Sequence, residues 1–465
     1  MMTRQEFLKR AGGGFGFAAL QGLLAAQSPT PGTHHTPKAK RVIFLFMQGG
    51  PSQMDLFDYK PQLEQRHSQP FSLALPKNYE APGIRGTRFF GPIGKFVRQG
   101  QRGMLMSDML PQLGSVVDDL CFLHAMHADS EAHAPAIRQL HTGHSVQVRP
   151  SMGSWVLYGL GTENKNLPGF ITICPALGGD GGTPQLYSSG FLPASFQGTP
   201  LGRTGDAKNA RFGYLGDPTT PSTDQRRQLD FLSSLNKAHA TQSGQEAEFD
   251  ARIASFELAF RMQMEAPSVL DLTRESEPTH KMYGIGDKET DDFGRQCLMA
   301  RRLVEAGVRF VQITDGGWDH HAKLRGSLPV RCKAVDKPIA GLITDLKARG
   351  LLNDTLVIWG GEFGRTPFDQ DLSQGKAPAE DRGREHNPRG FTMFLAGGGI
   401  QPGIAHGATD DFGWDAVSGK VHIHDLHATM LHLLGIDHER LTYRYTGRDY
   451  RLTDVFGNVV RDILL

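Results

Sequence analysis

Short apolar runs and amphipathic periods alternate along most of the chain. The run KRVIFLFMQGG (40–50) stays apolar until two glycines end it, which predicts a strand buried on both faces. DMLPQLGSVVDDLCFLHAMHA predicts a helix and then a short strand, and SEAHAPAIRQLHTGH a second helix. Over 222–265 the pattern is long, polar and periodic, with LDFLSSL and ASFELAFRMQM spaced as helix faces. This stretch is expected to pack on the sheet rather than form a domain of its own. FGRQCLMARRLVEAGVRFVQIT predicts a helix ended at Gly307 with a strand directly after it. PIAGLITDLKARGLLNDTLVIWGGEFG repeats that order, with Gly350 near the helix end and TLVIWGG as the strand. GFTMFLAGGG adds a strand and HDLHATMLHLLGI a closing helix. The alternation predicts an α/β fold, a mainly parallel sheet sandwiched by helices.

On such a sheet, ligands sit beyond the carboxyl ends of the strands. Three polar clusters follow strands: Gln48 to Asp58, Asp315 to His321, and Glu362 to Thr366. All three are expected on one edge. In GGWDHH, Asp319, His320 and His321 could hold a metal ion, or form a polar turn that Gly316 and Gly317 permit. The strand-end position, with Glu362 and His386 as partners, favours the metal. A set of Asp, Glu and His suits zinc, manganese or iron better than calcium. Glu362 follows six mostly apolar residues, and a half-buried carboxylate needs a compensating charge. Capping a helix or pairing with Arg365 is the alternative for that carboxylate.

Charge and composition narrow the function classes. Fifty Lys and Arg against 49 Asp and Glu leave a net charge of +1, without the footprint of a nucleic-acid or polybasic membrane protein. The four cysteines lie far apart with no CxxC spacing, which argues against a cysteine-built zinc site. The 19 histidines concentrate in 124–144, 320–321 and 422–438, and histidine is the commonest transition-metal ligand. At the start, Arg4, Lys9 and Arg10 precede a short glycine-rich apolar run with small residues near Ala25 and Ala26. Residues 1–26 therefore read as an export signal, too short and weakly apolar for a membrane span. Thr3 to Lys9 resembles a twin-arginine signal with Gln5 in place of the second arginine. Residues 27–39 read as a linker and 40–465 as one α/β domain, periplasmic or secreted, without a transmembrane segment in the mature chain.

Several segments resemble the sulfatases. LKARGLLNDTLVIWGGEFGRTP is similar to the sulfatase helix, turn and strand that lead into a Ser-Asp-His-Gly metal site. LPQLGSVVDDLCFLHAMHADSEAHAPAIRQLHTG parallels the stretch ending in Cys-x-Pro-Ser-Arg and Leu-Thr-Gly, and VHIHDLHATMLHLLGI the closing Asp-x-x-Pro-Thr-Leu-Leu helix. GGPSQMDLFD, RPSMGSW, GGWDHH, GGEFGRTP and LTYRYTGRDYRLTDV resemble, more closely, exported bacterial proteins of the domain-of-unknown-function family numbered 1501. That family is placed beside sulfatases and alkaline phosphatases.

The resemblance implies an alkaline phosphatase/sulfatase-like fold and a divalent metal. Glu362 stands where sulfatases have a ligand Asp, and Phe363 where they have His. His386 lies where phosphatase-like members carry a ligand histidine, and Asp319 and His321 where they place a second Asp and His pair. Asp55 follows the first strand, near the first metal carboxylate of the superfamily. His133 takes the place of the modified sulfatase cysteine, as a ligand or general base. Arg138 and Arg365 are candidates to hold an anionic group of the substrate. Asp58, Asp315 and Asp425 are left as supporting residues, and His427 and His432 as structural. The implied activity is hydrolysis of phosphate or sulfate esters, small-molecule or polysaccharide, by metal-activated water. The rival is a non-catalytic metal- or ligand-binding protein on the same fold.

Overall fold

The computed structural model of this protein describes residues 31–73, 87–175, 184–213, 223–224, 226–231, 234–235, 247–372 and 378–465. The leader expected over 1–26 lies outside the described residues, as does much of the helical stretch expected over 222–265.

The strands that build the sheet and flank its carboxyl edge are β1 (Arg41–Met47), β2 (Leu120–His127), β3 (Phe170–Ile173), β4 (Thr199–Leu201), β5 (Phe310–Asp315), β6 (Thr355–Gly360), β7 (Gly364–Gln370), β8 (Gly383–Asn387), β9 (Phe391–Ala396), β10 (Ile404–His406) and β11 (Val421–His422). All of these except β7 and β8 belong to one nine-stranded sheet, ordered β10-β2-β9-β6-β1-β5-β3-β4, with β11 also on β2. β1 lies at its centre, parallel to β5 on one side and β6 on the other. β9 alone runs antiparallel, against both β2 and β6. The cause is local. After β6 the chain makes the antiparallel hairpin β7–β8 instead of a crossover helix, so it re-enters the sheet in the opposite direction.

Alternation along β1 feeds two cores. Ile43, Leu45 and Met47 point into one cluster, and Val42, Phe44 and Phe46 into the other. The first face is covered by α3 (Ala247–Leu270), α4 (Asp291–Glu305) and α5 (Leu324–Ala348), through Met262, Cys297, Leu298, Leu328 and Leu342. The second is covered by α1 (His133–Thr142), α2 (Met152–Leu160) and α6 (Ile423–Leu433), through Ile137, Trp155, Leu426 and Met430. This is the expected sandwich of helices around a mainly parallel sheet. α4 and α5 stop where expected, at Gly307 and Gly350, both left-handed at φ +88° and +72°. Among the described residues no helix is long and apolar enough to cross a membrane.

Candidate metal centre

β1, β5 and β6 run parallel, so the segments after them emerge on one edge of the sheet. The segment after β1 supplies Gly49, that after β5 supplies Asp319 to His321, and that after β6 supplies Glu362. β2 is parallel to β6, since both oppose β9, and the loop after it starts α1 with His133 on the same edge. The β7–β8 hairpin folds over this edge and brings Arg365, Gln370, Glu385 and His386. Gly383 permits the close approach. A Cβ there would stand 2.1 Å from the His320 carbonyl oxygen, which accepts the Arg384 N–H at 3.0 Å.

Four side chains converge. One ligand-type atom from each of His133, Asp319, His321 and His386 lies within 4.8 Å of every other. Bonds of about 2.0–2.2 Å would put tetrahedral ligands about 3.4 Å apart, so around an ion the farthest members would draw in by up to about 1.4 Å while Asp319 keeps nearly its present separation from the imidazoles. The three imidazoles share an orientation. His133 Nδ1 pairs with Glu362 Oε1 at 2.7 Å, His321 Nδ1 with Gln370 Oε1 at 2.6 Å, and His386 Nδ1 with the Glu131 carbonyl oxygen at 2.6 Å. Each of these acceptors fixes a proton on Nδ1, which leaves Nε2 as the lone-pair nitrogen of the neutral ring. All three Nε2 atoms face Asp319, at 3.2 Å for His133, 2.9 Å for His321 and 3.2 Å for His386. His133 Nε2 is buried and meets that carboxylate only as an ion pair, out of line for a hydrogen bond. The donor set and that incompletely satisfied nitrogen fit a transition-metal ion.

The charges around the cluster are arranged to keep Asp319 ionised. Burial raises its pKa, but the three imidazoles and the Arg365 guanidinium, 2.6 Å away, hold it well below the usual carboxylate range. Burial lowers the His133 pKa, yet its pairing with Asp319 and Glu362 wins and pushes it up to about 9, so an ion binding at Nε2 would displace a proton there. His386 goes the other way, lowered by burial despite Asp319, with Arg365 and His133 adding to the effect. Arg365 itself is 1% exposed and spends its donors on Asp319, Gly49, and the Gly50 and Arg384 carbonyls at 2.9 and 3.0 Å. Phe363 packs at a tilt against the His133 and His386 rings, at centroid distances of 5.0 and 4.4 Å.

Not every candidate joins the cluster. Asp319, His321, His386 and His133 do. Glu362 stands one step behind, fully buried, as the partner of His133 rather than a member of the four. His320 is absent from it; buried, with Arg365 adding a like charge, its pKa falls to about 4. Asp55 is taken by Arg384, at 2.8 and 3.1 Å, in an ion pair with both side chains 0% exposed. The expected ligand role fails there because the hairpin delivers a guanidinium first. Arg138 ties off the loop after α1 through Nη1 to the Ser145 and Val146 carbonyls, and Arg365 organises backbone and Asp319, so Arg365 presents no free cation to an ester. Asp58 pairs with Lys60, Asp425 caps α6, and buried Asp315 has its pKa pushed up to about 6 by burial against Arg331 and Trp318. His141 bonds the Ile137 carbonyl, His144 accepts from Val146 and Gln147 amides, and His427 bonds the Leu140 carbonyl. His432 rests against His35.

Gln370, Glu385 and the Glu131 carbonyl were not legible as site groups. Gln370 and Glu385 lie on a hairpin that carries no strong strand signal, and a backbone carbonyl leaves no trace in residue identity.

The family model described as "Protein of unknown function (DUF1501)" matches residues 39–464. The chain belongs to that family. None of the curated proteins matches it. Among solved structures it is similar to the lipoteichoic acid synthase LtaP from Listeria monocytogenes, at 11% identity, covering 96% of this chain and 82% of that one, with a TM-score of 0.37. The PsFucS1 sulfatase from Pseudoalteromonas sp. is 13% identical over 91% of this chain and 72% of its own, TM-score 0.34. Alkaline phosphatase from the Antarctic bacterium TAB5 is 11% identical over 86% and 98%, TM-score 0.32. Overlaps this partial leave the geometry of the centre itself to carry the functional reading of this DUF1501 protein.

Proposed function

We propose that this DUF1501 protein is an exported hydrolase of phosphate or sulfate esters, dependent on a divalent metal held by His133, Asp319, His321 and His386. The observation that carries the reading is the common orientation of three imidazoles, each with Nδ1 bonded outward and Nε2 turned to Asp319. Three imidazoles and one carboxylate favour zinc, manganese or iron over calcium. When bound, such a cation supplies Lewis acidity toward an ester oxygen and a lowered pKa for water.

The chain's own groups do the rest. Glu362, Gln370 and the Glu131 carbonyl hold the imidazole protons away from the ligand face. Arg365 keeps the Asp319 carboxylate charged and oriented. With His133 neutral as a ligand, Asp319, Glu362 and Glu385 carry three formal negative charges against the one of Arg365, so a divalent ion neutralises the pocket and removes its repulsion toward an anionic ester. His133 replaces the sulfatase-type nucleophile in the aligned motif, which supports attack by water. In that step the bond from phosphorus or sulfur to the ester oxygen breaks, and the departing alcohol takes up a proton. Small-molecule and polysaccharide esters are both within the proposal. The basic, apolar pattern of residues 1–26 supports action outside the cytoplasm, reached through the export machinery.

Elemental analysis of the purified mature protein, paired with aryl phosphate and aryl sulfate turnover, tests the proposal. One of zinc, manganese or iron should be bound, and turnover should be lost on chelation and restored by that metal. Bound metal with no turnover on either ester class would favour the non-catalytic binding protein. Absence of any metal from protein refolded or supplied with all three would sink the hydrolase and leave only a metal-free ligand-binding protein.

A further inference from the structure

A cleft of about 410 Å³ opens beside the edge strand β10 and its neighbour β2, lined by Phe57, Tyr59, Arg98, Arg102, Phe122 and His124 among others. None of the four residues of the metal cluster lines it. Its volume falls at the lower end of the range for small-molecule sites, about 300–1,000 Å³.

The charge balance of its walls is one-sided. Asp58 also lines the cleft, but Lys60 takes one of its oxygens at 2.9 Å and the Thr409 hydroxyl takes the other. Asp118, beside it, is occupied by the Gln101 and Arg102 backbone N–H groups at 2.7 and 3.3 Å, which holds the turn in place. Arg98 and Arg102 are exposed, and each spends one Nη1 on a carbonyl, that of Gly103 at 3.0 Å and of Gly403 at 3.3 Å. Among the described residues neither has a carboxylate partner in ion-pair range. Each planar guanidinium therefore keeps donors free, with the fork that matches a carboxylate, phosphate or sulfate.

Rings line much of the rest, beside Met104 and Leu105. Phe122 and His124 stack at 5.7 Å with an interplanar angle of 4°, and Tyr59 packs on Phe96 at 5.0 Å. His124 bonds the Thr392 hydroxyl through Nδ1 at 3.1 Å, which leaves Nε2 for a neutral polar group such as a hydroxyl. Burial lowers its pKa, so the ring stays neutral beside the arginines. Two unpaired cations over an aromatic wall and a neutral imidazole do not suit a purely apolar ligand. They suit an acid attached to a ring.

We propose that this cleft binds an anionic small molecule, a body of one or two rings bearing a carboxylate, phosphate or sulfate held by Arg98 and Arg102. The test uses the metal-loaded mature protein and calorimetric titration with glucuronate, which an ester hydrolase does not cleave. Glucose serves as the uncharged arm and inorganic phosphate as the ring-free arm. Glucuronate should bind, with glucose and phosphate each weaker by roughly tenfold or more. The double variant Arg98→Ala, Arg102→Ala should lose roughly tenfold in glucuronate affinity with unchanged metal content, and Asp319→Ala should lose metal but keep glucuronate. Glucose binding as well as glucuronate would overturn the proposal. So would no glucuronate binding at millimolar concentration, or binding that survives the double arginine variant and disappears with Asp319→Ala.

Discussion

Gly49 and Glu362 meet at the carboxyl edge of the sheet, where the Gly49 N–H donates to both carboxylate oxygens of Glu362, at 3.0 and 3.2 Å. One of those oxygens also takes His133 Nδ1 at 2.7 Å. Glu362 thus sets which nitrogen of His133 carries the proton. In Glu362→Gln one oxygen becomes an amide NH₂, which favours the opposite His133 tautomer and puts a proton on the nitrogen facing Asp319. Metal affinity should fall about 10- to 100-fold, read by competition against a chelator of known affinity. Unchanged affinity would remove His133 from the ligand set.

Gly49→Ala tests the backbone side of the same contact. Gly49 sits at φ +118°, and an added Cβ would lie 2.5 Å from the Asp319 nitrogen. Both the conformation and the clash oppose a side chain, so denaturant unfolding should show a loss of about 1–3 kcal/mol. A variant as stable as the parent would mean the two loops separate more easily than their packing implies.

Asp319 is the hub of the four and, at 41% side-chain exposure, the open side of the cluster. Asp319→Ala should leave little bound metal and no ester turnover. Its stability cost should be smaller than that of breaking a fully buried pair, about 1–3 kcal/mol, because the 41%-exposed Asp319 position admits water to Arg365, which also keeps the Gly50 and Arg384 carbonyls. His320→Asn, next in sequence but outside the cluster, should keep its metal. Elemental analysis of the two variants separates the neighbours, and loss of metal from both would contradict the geometry.

The same pair of neighbours marks how far the sequence could be read. The strands of the carboxyl edge were legible because β1 and β6 are continuous apolar runs ended by polar or glycine residues, and β5, with Gln312 and Thr314 inside it, follows a helix closed by Gly307. That pattern placed Asp319, His321 and Glu362 on one edge. It could not say which of three adjacent polar residues turns inward, because the loop after β5 has no period. Nor could it anticipate β7–β8, whose strands are polar yet buried because they pack over the centre. That hairpin carries Arg384 to Asp55 and Gln370 to His321, pairs far apart in sequence that only the tertiary fold brings together.

Asp55 carries the clearest consequence. Its carboxylate is fully buried against Arg384 and also accepts the Ser52 hydroxyl at 2.5 Å and the Ile93 N–H at 3.0 Å. Asp55→Asn would leave the guanidinium buried without its counter-charge, at a cost of about 3–5 kcal/mol in unfolding free energy. Metal bound per folded molecule should not change. A variant of parental stability that binds less metal would restore Asp55 as a ligand.

Acid should destabilise the protein through histidines that lie outside the metal centre. His427 and His141 are buried in the second core, donating to the Leu140 and Ile137 carbonyls at 2.7 and 2.8 Å. A second proton on His427 would fall on Nδ1, a buried nitrogen without a partner. Burial accordingly pushes the pKa down to about 3 for His427, helped by neighbouring His424, and to about 4 for His141. In the unfolded chain both return to about 6.5. Above that pH both states are neutral and the stability is whole. As the pH falls below 6.5, the unfolded chain binds protons that the folded one refuses, and stability drops until the pH passes the folded values near 4 and 3. Each group contributes a slope of about 1.4 kcal/mol per pH unit inside its window. His427→Gln keeps a side-chain N–H for the Leu140 carbonyl but cannot titrate, so its urea midpoint should decline less between pH 7.5 and pH 5 than that of the parent. Parallel declines in the two proteins would show that His427 is charged in the folded state, against its burial.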